Sequence, residues 1–356
     1  MKSFIISIIF LILTLILINK SVFAQVEPPK QETLEATDEK ILVEKQSYQK
    51  LELYITKGTL KGKKIIIESG TLPLANLQQY HEGDRVMVSY GKDFKGNDSF
   101  YISDFIRRDA LLWLFIVFII VTLYIAKWRG LMSLFGMAIS FLIIFYYILP
   151  NISAGAGPIL ISISGSLIII PVTFYFSHGL NKKTSVAVIG TLISLIITGI
   201  LASLFVSFTK LTGFGSEEAG FLEIAKQGAI NMKGLLLAGI IIGVLGILDD
   251  ITISQSAIVF QLKEINNKLK FNELYSRAMN IGQDHISSMV NTLILVYTGA
   301  ALPLLILFLN NPRPFSEIVN YEMIADEIVR TLVGSIGLIL SVPITTYIAS
   351  IVASKK

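Results

Sequence analysis

Two adjacent aspartates, Asp249 and Asp250, follow the run 234–248, which contains no ionisable side chain. As a helix this run would extend about 22 Å, which is shorter than a hydrocarbon core of about 30 Å. A helix that completes the crossing therefore carries both carboxylates into the inner leaflet, unless the pair caps a solvated inner loop. Charges at membrane depth are costly and are retained mainly in ion sites and proton relays. The pair therefore predicts a functional site.

The residues after the pair favour a buried or cavity-lining position. Thr252 and Gln255 follow on the same predicted helix, and Ile251–Leu262 is again largely apolar. A polar side chain inside such an apolar stretch is expected to face a neighbouring helix or a cavity.

A second polar group lies where the next predicted span begins. Asp284, Ser288 and Asn291 are spaced by four and three residues and so form one stripe of a helix. His285 would titrate near neutral pH. Simpler explanations are that Asp284 complements the helix dipole and that Asn291 bonds a partner helix.

Asp249 and Asp284 both approach the inner leaflet, from helices that one loop connects. The sequence is therefore equally consistent with convergence of the two aspartates and with their separation. If they converge, Asp249, Asp250 and His285 are the side chains that would bind a cation or metal, or would pass protons.

A third polar group, Glu327 and Arg330, lies at the start of the last predicted span, on the outer side of the membrane. Their i, i+3 spacing predicts an ion pair on the helix surface. An interfacial pair, in which the arginine reaches toward the headgroups, is the preferred interpretation.

The composition indicates a membrane protein. The 356 residues are 53% hydrophobic and 16% charged, with a mean hydropathy of +0.67, whereas soluble domains carry about 25% charged residues. The net charge of +4 does not indicate a nucleic-acid partner, because the basic residues lie mainly at the ends of apolar runs. There is no cysteine, no nucleotide-binding glycine loop and no hydrolase motif, so we predict no cofactor, and the sequence does not favour an enzyme.

The chain begins with a predicted signal peptide over residues 1–24. Lys2, the apolar run 4–18 and a Val-x-Ala cleavage site at 22–24 support this prediction, and an uncleaved anchor helix is the alternative. Residues 25–40 are polar and predict a linker. Residues 41–108 contain short β-rich runs separated by glycines, which predict an OB-like or SH3-like barrel outside the membrane.

Residues 109–356 predict a helical bundle of seven spans, each near the 20 residues that a crossing needs. The predicted spans are about 110–126, 131–149, 158–176, 186–208, 234–253, 287–309 and 328–352. Basic residues concentrate in the connections that place the β domain outside and the C-terminus inside, including a predicted inner loop 254–286.

Several of these motifs resemble the YibE/F family of bacterial multi-spanning proteins, in order and spacing over roughly 110–352. The matching motifs are Gly246-Ile-Leu-Asp-Asp250 with Gln255, Asp284-His-Ile with Ser288 and Asn291, Tyr297-x-Gly299 with Leu302-Pro303, and Glu327-Ile-Val-Arg-Thr-Leu-Val-Gly-Ser-Ile-Gly337 with Val342-Pro343. The resemblance implies a plasma-membrane location and several membrane helices. It brings no established activity.

The leading hypothesis is a transporter or permease with a polar inner-leaflet site for a cation or proton relay. The alternative is a structural or regulatory envelope protein whose outer β domain binds a membrane or envelope partner. An intramembrane enzyme ranks third, because no nucleophile with a neighbouring base is visible.

Overall fold

The computed structural model describes residues 32–45, 48–70, 78–93, 96–309 and 313–355. The predicted signal peptide and residues 25–31 of the predicted linker lie outside these ranges. The chain divides into two compact units, with the boundary between Tyr124 and Ile125.

The first unit contains a half-barrel sheet of five antiparallel strands in the order β3-β2-β1-β4-β5. The strands are β1 (Glu32–Lys45), β2 (Tyr48–Lys57), β3 (Lys64–Ser69), β4 (Arg85–Lys92) and β5 (Asp98–Phe105). The predicted β-rich runs are therefore confirmed as strands.

The linker prediction is wrong from residue 32 onward, because β1 begins at Glu32. The first half of β1 pairs with β4, from Glu32 opposite Tyr90 to Thr37 opposite Arg85, and its second half pairs with β2. Leu34 and Ala36 are fully buried between outward-facing polar residues. The acidic residues of this stretch therefore belong to a strand.

Alternation of apolar and polar residues builds the core of the sheet. In β2 the alternate residues Leu51, Leu53 and Ile55 are fully buried, whereas their neighbours are partly exposed. In β3, Ile67 is buried while Ile66 is 55% exposed. This period of two is the pattern of a sheet with one face packed and one face in water.

The first helix begins at Arg108, one residue before the predicted start of the helical domain at residue 109. The helices are α1 (Arg108–Ile143), a π-helical turn (Ile144–Ile148), α2 (Leu149–Ser153), α3 (Pro158–His178), α4 (Lys182–Phe208), α5 (Glu217–Lys226), α6 (Met232–Ile265), α7 (Phe271–Ala300), α8 (Leu302–Leu309), α9 (Phe315–Ile318) and α10 (Glu322–Ser354).

In the described part of the chain, five helices are long and apolar enough to cross a membrane, or six if α7 and α8, which bend by 69°, form one span. Two of the seven predicted spans, 110–126 and 131–149, lie in one helical run, Arg108–Ser153. Within it Lys127 has a non-helical backbone, with φ 52° and ψ −130°.

The predicted inner loop 254–286 is wrong, because α6 continues to Ile265 and α7 already begins at Phe271. Only residues 266–270 connect the two helices. The stretch between Leu248 and Ile281 contains neither glycine nor proline, so nothing in the sequence ends the helices at the membrane surface.

Helices α4, α6 and α10 pack against one another, while α7 packs on α10 and α3 packs on α6. Buried hydroxyl groups are frequent at these contacts, and most of them bond to the carbonyl one turn earlier in their own helix. Small residues of this kind let membrane helices approach closely. The fully buried serines and threonines of α4, α6 and α10 are Thr184, Thr191, Ser194, Thr252, Ser256, Ser341, Thr345, Thr346 and Ser350.

Candidate functional site

Asp249 and Asp250 lie in the middle of α6. The helix contains 34 residues and so extends about 51 Å, and Asp249 is about 26 Å from its first residue. No loop occurs near the pair, since the helix continues unbroken to Ile265. A solvated cap at the end of a helix is therefore not the position of these carboxylates.

Asp250 is exposed and shares one face of α6 with three exposed glycines, Gly239, Gly243 and Gly246. We call these four residues the glycine face. A Cβ on Gly239 would lie 3.5 Å from Arg330 Nη1, one on Gly243 would lie 3.5 Å from the Tyr297 hydroxyl, and one on Gly246 would meet nothing within 4 Å. The face thus forms a strip without side chains that leads to the Asp250 carboxylate.

Asp249 and Thr252 lie on a different side of α6. Thr252 is fully buried, and its hydroxyl is 2.6 Å from the Thr191 hydroxyl of α4. The Thr252 hydroxyl also lies 3.4 Å from the backbone carbonyl of Asp249. Asp249 itself is partly buried. The two neighbouring carboxylates therefore face different surroundings.

Gln255 joins three helices. Its Nε2 donates to the Ala278 carbonyl of α7 at 2.9 Å and to the Thr346 hydroxyl of α10 at 2.7 Å. A Cβ on Gly282 would lie 2.9 Å from Gln255 Nε2 and 2.6 Å from a methyl group of Val342. Only glycine therefore lets α7 approach Gln255 this closely, and the residue acts as a packing junction.

The structure places Asp284, His285 and Asn291 on α7, where Asp284 and Asn291 are exposed and His285 is partly buried. Helix α7 meets α6 at two heights: Ala278 contacts Gln255, and the Tyr297 hydroxyl lies beside Gly243. Asp249 is midway between Gln255 and Gly243 and so lies level with the midpoint of Ala278 and Tyr297, at about residues 287–288. The two polar segments of the prediction therefore lie at a similar height along α6 and α7.

Within the described residues, no hydrogen bond or ion pair links Asp249 or Asp250 to Asp284 or His285. The same residues contain no group of three or more histidine, aspartate and glutamate side chains placed to hold a metal ion. Asp249, Asp250 and His285 therefore do not form such a group in this structure.

The predicted pairing of Glu327 with Arg330 is confirmed, with Arg330 Nε 3.4 Å from Glu327 Oε1. Glu327 also borders an apolar groove of about 250 Å³ between α10 and the bend that joins α7 to α8. Tyr297 lines the same groove, and its hydroxyl lies beside Gly243 of the glycine face.

Sequence reasoning missed Asp326, which precedes Glu327 and is 8% exposed. It also missed Thr191 and Thr346, which bond to Thr252 and Gln255. The spacing of hydroxyl residues in α4 and α10 could have indicated the two threonines, because they recur on the buried side of apolar helices. The residue type alone gave no signal for Asp326, since acids are common in the first turns of helices.

A protein-family model with the description "YibE/F-like protein" matches residues 114–355, which is more than half of the chain. No curated protein and no solved structure matches the chain.

Proposed function

Since the chain belongs to the YibE/F-like protein family and carries several apolar helices, we propose that it is a transporter or permease of the plasma membrane. Its site for a cation or a proton relay lies at Asp249 and Asp250. Asp284, His285 and Asn291 flank this site from α7. Thr252 and Gln255 fix the helix that carries it.

The glycine face is the observation that supports this proposal. A helix buried in a bundle normally fills its contacts with side chains, whereas α6 exposes three glycines in succession and then a carboxylate. Such a strip provides space along a helix at membrane depth, where an ionisable side chain is otherwise costly. Arg330 and the Tyr297 hydroxyl border the strip and supply polar groups along it.

The proposed membrane arrangement has seven spans. The run Arg108–Ser153 would extend about 69 Å if straight, which is more than twice a hydrocarbon core. The break at Lys127 supports its division into two spans, and the bent pair α7 and α8 counts as one. A cleaved signal peptide over 1–24 then leaves the β domain outside and the C-terminus inside.

The proposed β domain is an OB-like barrel. Strands β1 to β3 form consecutive antiparallel pairs, and β4 returns to lie beside β1. That order is a Greek key, and the OB fold is a five-stranded, partly open Greek-key barrel. The approach of β3 to β5 at the two ends of the sheet supports this class.

Thiol labelling tests whether the glycine face is wet, because the natural chain has no cysteine. A thiol reacts as the thiolate, which forms in water rather than in lipid. We expect Gly246→Cys to react with a charged thiol reagent in membrane vesicles. The matched control Ile196→Cys, on an exposed position of α4, should remain unreactive. If neither cysteine is labelled, water does not reach the glycine face, and the proposal is contradicted.

Flux through the purified protein in liposomes tests the carboxylates. We expect Asp249→Asn and Asp250→Asn each to abolish proton or cation entry, measured with pH-sensitive and cation-sensitive dyes. Glu264→Gln, an exposed acid near the end of the same helix, should leave it unchanged. Undiminished flux in both aspartate variants would remove the site and favour action through a partner protein.

A further inference from the structure

A cavity of about 240 Å³ lies between the start of α10, the start of α6 and the segment 213–222. Its position along α6 is that of Met232–Leu236, about 20 Å from Asp249. The cavity therefore lies away from the carboxylates of the proposed transport site, and Arg330 borders both the cavity and the glycine face. The inference drawn from the cavity does not depend on the proposed function.

Asp326 is the buried acid of this cavity. Its side chain lines the cavity and is only 8% exposed, yet its Oδ1 has no hydrogen-bond partner among the described residues. A methyl group at Gly215 would collide with the other carboxylate oxygen, so the glycine makes room for the acid. A buried carboxylate without a partner is costly unless a cation or a proton compensates it.

The neighbouring acids have partners within the protein. The Glu322 carboxylate accepts hydrogen bonds from the backbone N–H groups of Thr212 and Gly213, at 2.7 and 2.8 Å. Glu327 pairs with Arg330. Arg330 also lines the cavity, and its positive charge acts on Asp326. Because Arg330 is paired with Glu327, and because the lining carries three carboxylates (Glu218, Asp326 and Glu327) against this one guanidinium, the cavity keeps a surplus of negative charge.

The rest of the lining distinguishes an organic cation from a metal ion. Apolar side chains form much of the wall: Leu222, Met232, Leu235, Leu236 and Met323. Metal ions of the magnesium and calcium class need several oxygen ligands, and no group of three acids or histidines meets that need in the described parts of the chain. The buried carboxylate of Asp326 beside this apolar wall suits an ammonium group attached to a hydrocarbon body.

We propose that this cavity binds a small organic ammonium ion, whose charged nitrogen pairs with Asp326 and whose hydrocarbon part contacts the leucines and methionines. The volume is below the 300–1,000 Å³ typical of pockets for drug-sized ligands, so the ligand has only a short hydrocarbon part.

Calorimetric titration of the purified full-length protein with n-butylammonium tests the assignment. We expect saturable binding that Asp326→Asn weakens at least about tenfold, which is about 1.4 kcal/mol. Glu217→Gln is the matched control, because Glu217 is an exposed acid of α5 outside the cavity lining. It should bind as the wild type does.

Two further measurements separate the ammonium from other ligands. Butan-1-ol, the neutral analogue, should bind much more weakly than n-butylammonium, and sodium and magnesium ions should not compete with the amine. Thermal unfolding should show that Asp326→Asn is folded and at least as stable as the wild type, since it removes a buried charge. Gly215→Ala should reduce binding by crowding the carboxylate.

The proposal is overturned if n-butylammonium does not bind, if Asp326→Asn binds it equally well, or if the alcohol binds as tightly as the amine. Displacement of the amine by magnesium would assign the cavity to a metal ion instead.

Discussion

Both units have an apolar core, but they expose opposite kinds of residue. In the β unit most buried side chains are apolar, such as Leu51 and Leu53, and the exposed ones are mainly charged. In the helical unit, contacts between α4, α6 and α10 contain fully buried threonines, while Ile196 and Leu332 are more than half exposed. Water around the first unit and lipid around the second explain the inversion. The hydrophobic effect buries apolar side chains that would otherwise contact water, whereas an apolar side chain in contact with lipid gains little from burial.

The inversion indicates where specificity resides. An apolar core specifies a fold by shape and amount of buried surface. In the helical unit the close approach of backbones and a few hydrogen bonds, such as those of Gln255, specify the contacts. Changes in volume should therefore have large effects at helix contacts, and changes in strand composition should have large effects in the sheet.

The largest expected effect is the loss of the whole β unit on shortening its first strand. Residues 32–106, expressed alone in water, should give a β-type circular dichroism spectrum and a cooperative melt. Residues 41–106 should not, because Glu32–Thr37 form all the pairings of β1 with β4. Without them the sheet separates into β2–β3 and β4–β5 hairpins, and isolated hairpins are marginal in water.

A cooperative melt of 41–106 would contradict the strand assignment and restore the linker that the sequence suggests. If neither segment folds alone, the β unit needs the membrane helices for its stability. The comparison between a unit that folds in water and a unit that folds in lipid would then fail.

This first strand also shows what could be predicted from the sequence. The β-rich runs from residue 51 onward and the apolar helices were predictable, since their periods and lengths are strong signals. Glu32–Lys40 was not, because two buried residues, Leu34 and Ala36, stand among charged ones, and only pairing on both sides makes that stretch a strand.

The site divides in the same way. Asp249 and Asp250 were predictable as charges in an apolar run, and the Glu327–Arg330 pair followed from helical spacing. The exposure of the glycine face and the burial of Asp326 were not, because both depend on which helix lies opposite. The continuation of α6 and α7 beyond the predicted spans was missed because hydropathy indicates the membrane length and not the helix length.

A smaller loss is expected from added volume at a helix contact. A Cβ on Gly337 of α10 would lie 2.9 Å from Cγ2 and 3.1 Å from Cβ of Thr198, whose hydroxyl bonds the Ser194 carbonyl at 2.7 Å. Since a rotated threonine would lose that bond and still collide, Gly337→Val should separate α4 from α10 and destabilise the unit by about 3 kcal/mol. Thermal unfolding in detergent measures the change.

Ile336→Val is the matched control, because Ile336 is the neighbouring residue and is 38% exposed. It should change the unfolding temperature little. Equal tolerance of both substitutions would mean that the contact between α4 and α10 is loose, and the helical unit would then not owe its specificity to small residues.

The smallest expected effect concerns Asp38, a buried acid in the β unit, whose core is mainly apolar. The side chain is 2% exposed, and its burial, with the nearby carboxylates of Asp84 and Glu82, raises its pKa from 3.8 to about 6, against the opposing backbone N–H of Lys40. The folded state therefore holds a proton that the unfolded state releases at lower pH. Ionisation of Asp38 should cost the wild type stability as pH rises from about 4 to about 6.

Comparison with Asp38→Asn isolates this contribution from the other carboxylates of the domain, such as Glu35, whose pKa is lowered mainly by its hydrogen bond with Arg108. Because asparagine does not ionise, the stability of the variant relative to the wild type should increase by about 2 kcal/mol across that pH window and stay constant above it. Urea unfolding of residues 32–106 at pH 4, 5, 6 and 7 measures the difference. A constant difference at all four pH values would show that Asp38 titrates normally, and a charge would then be as well accommodated in the apolar core as at the surface.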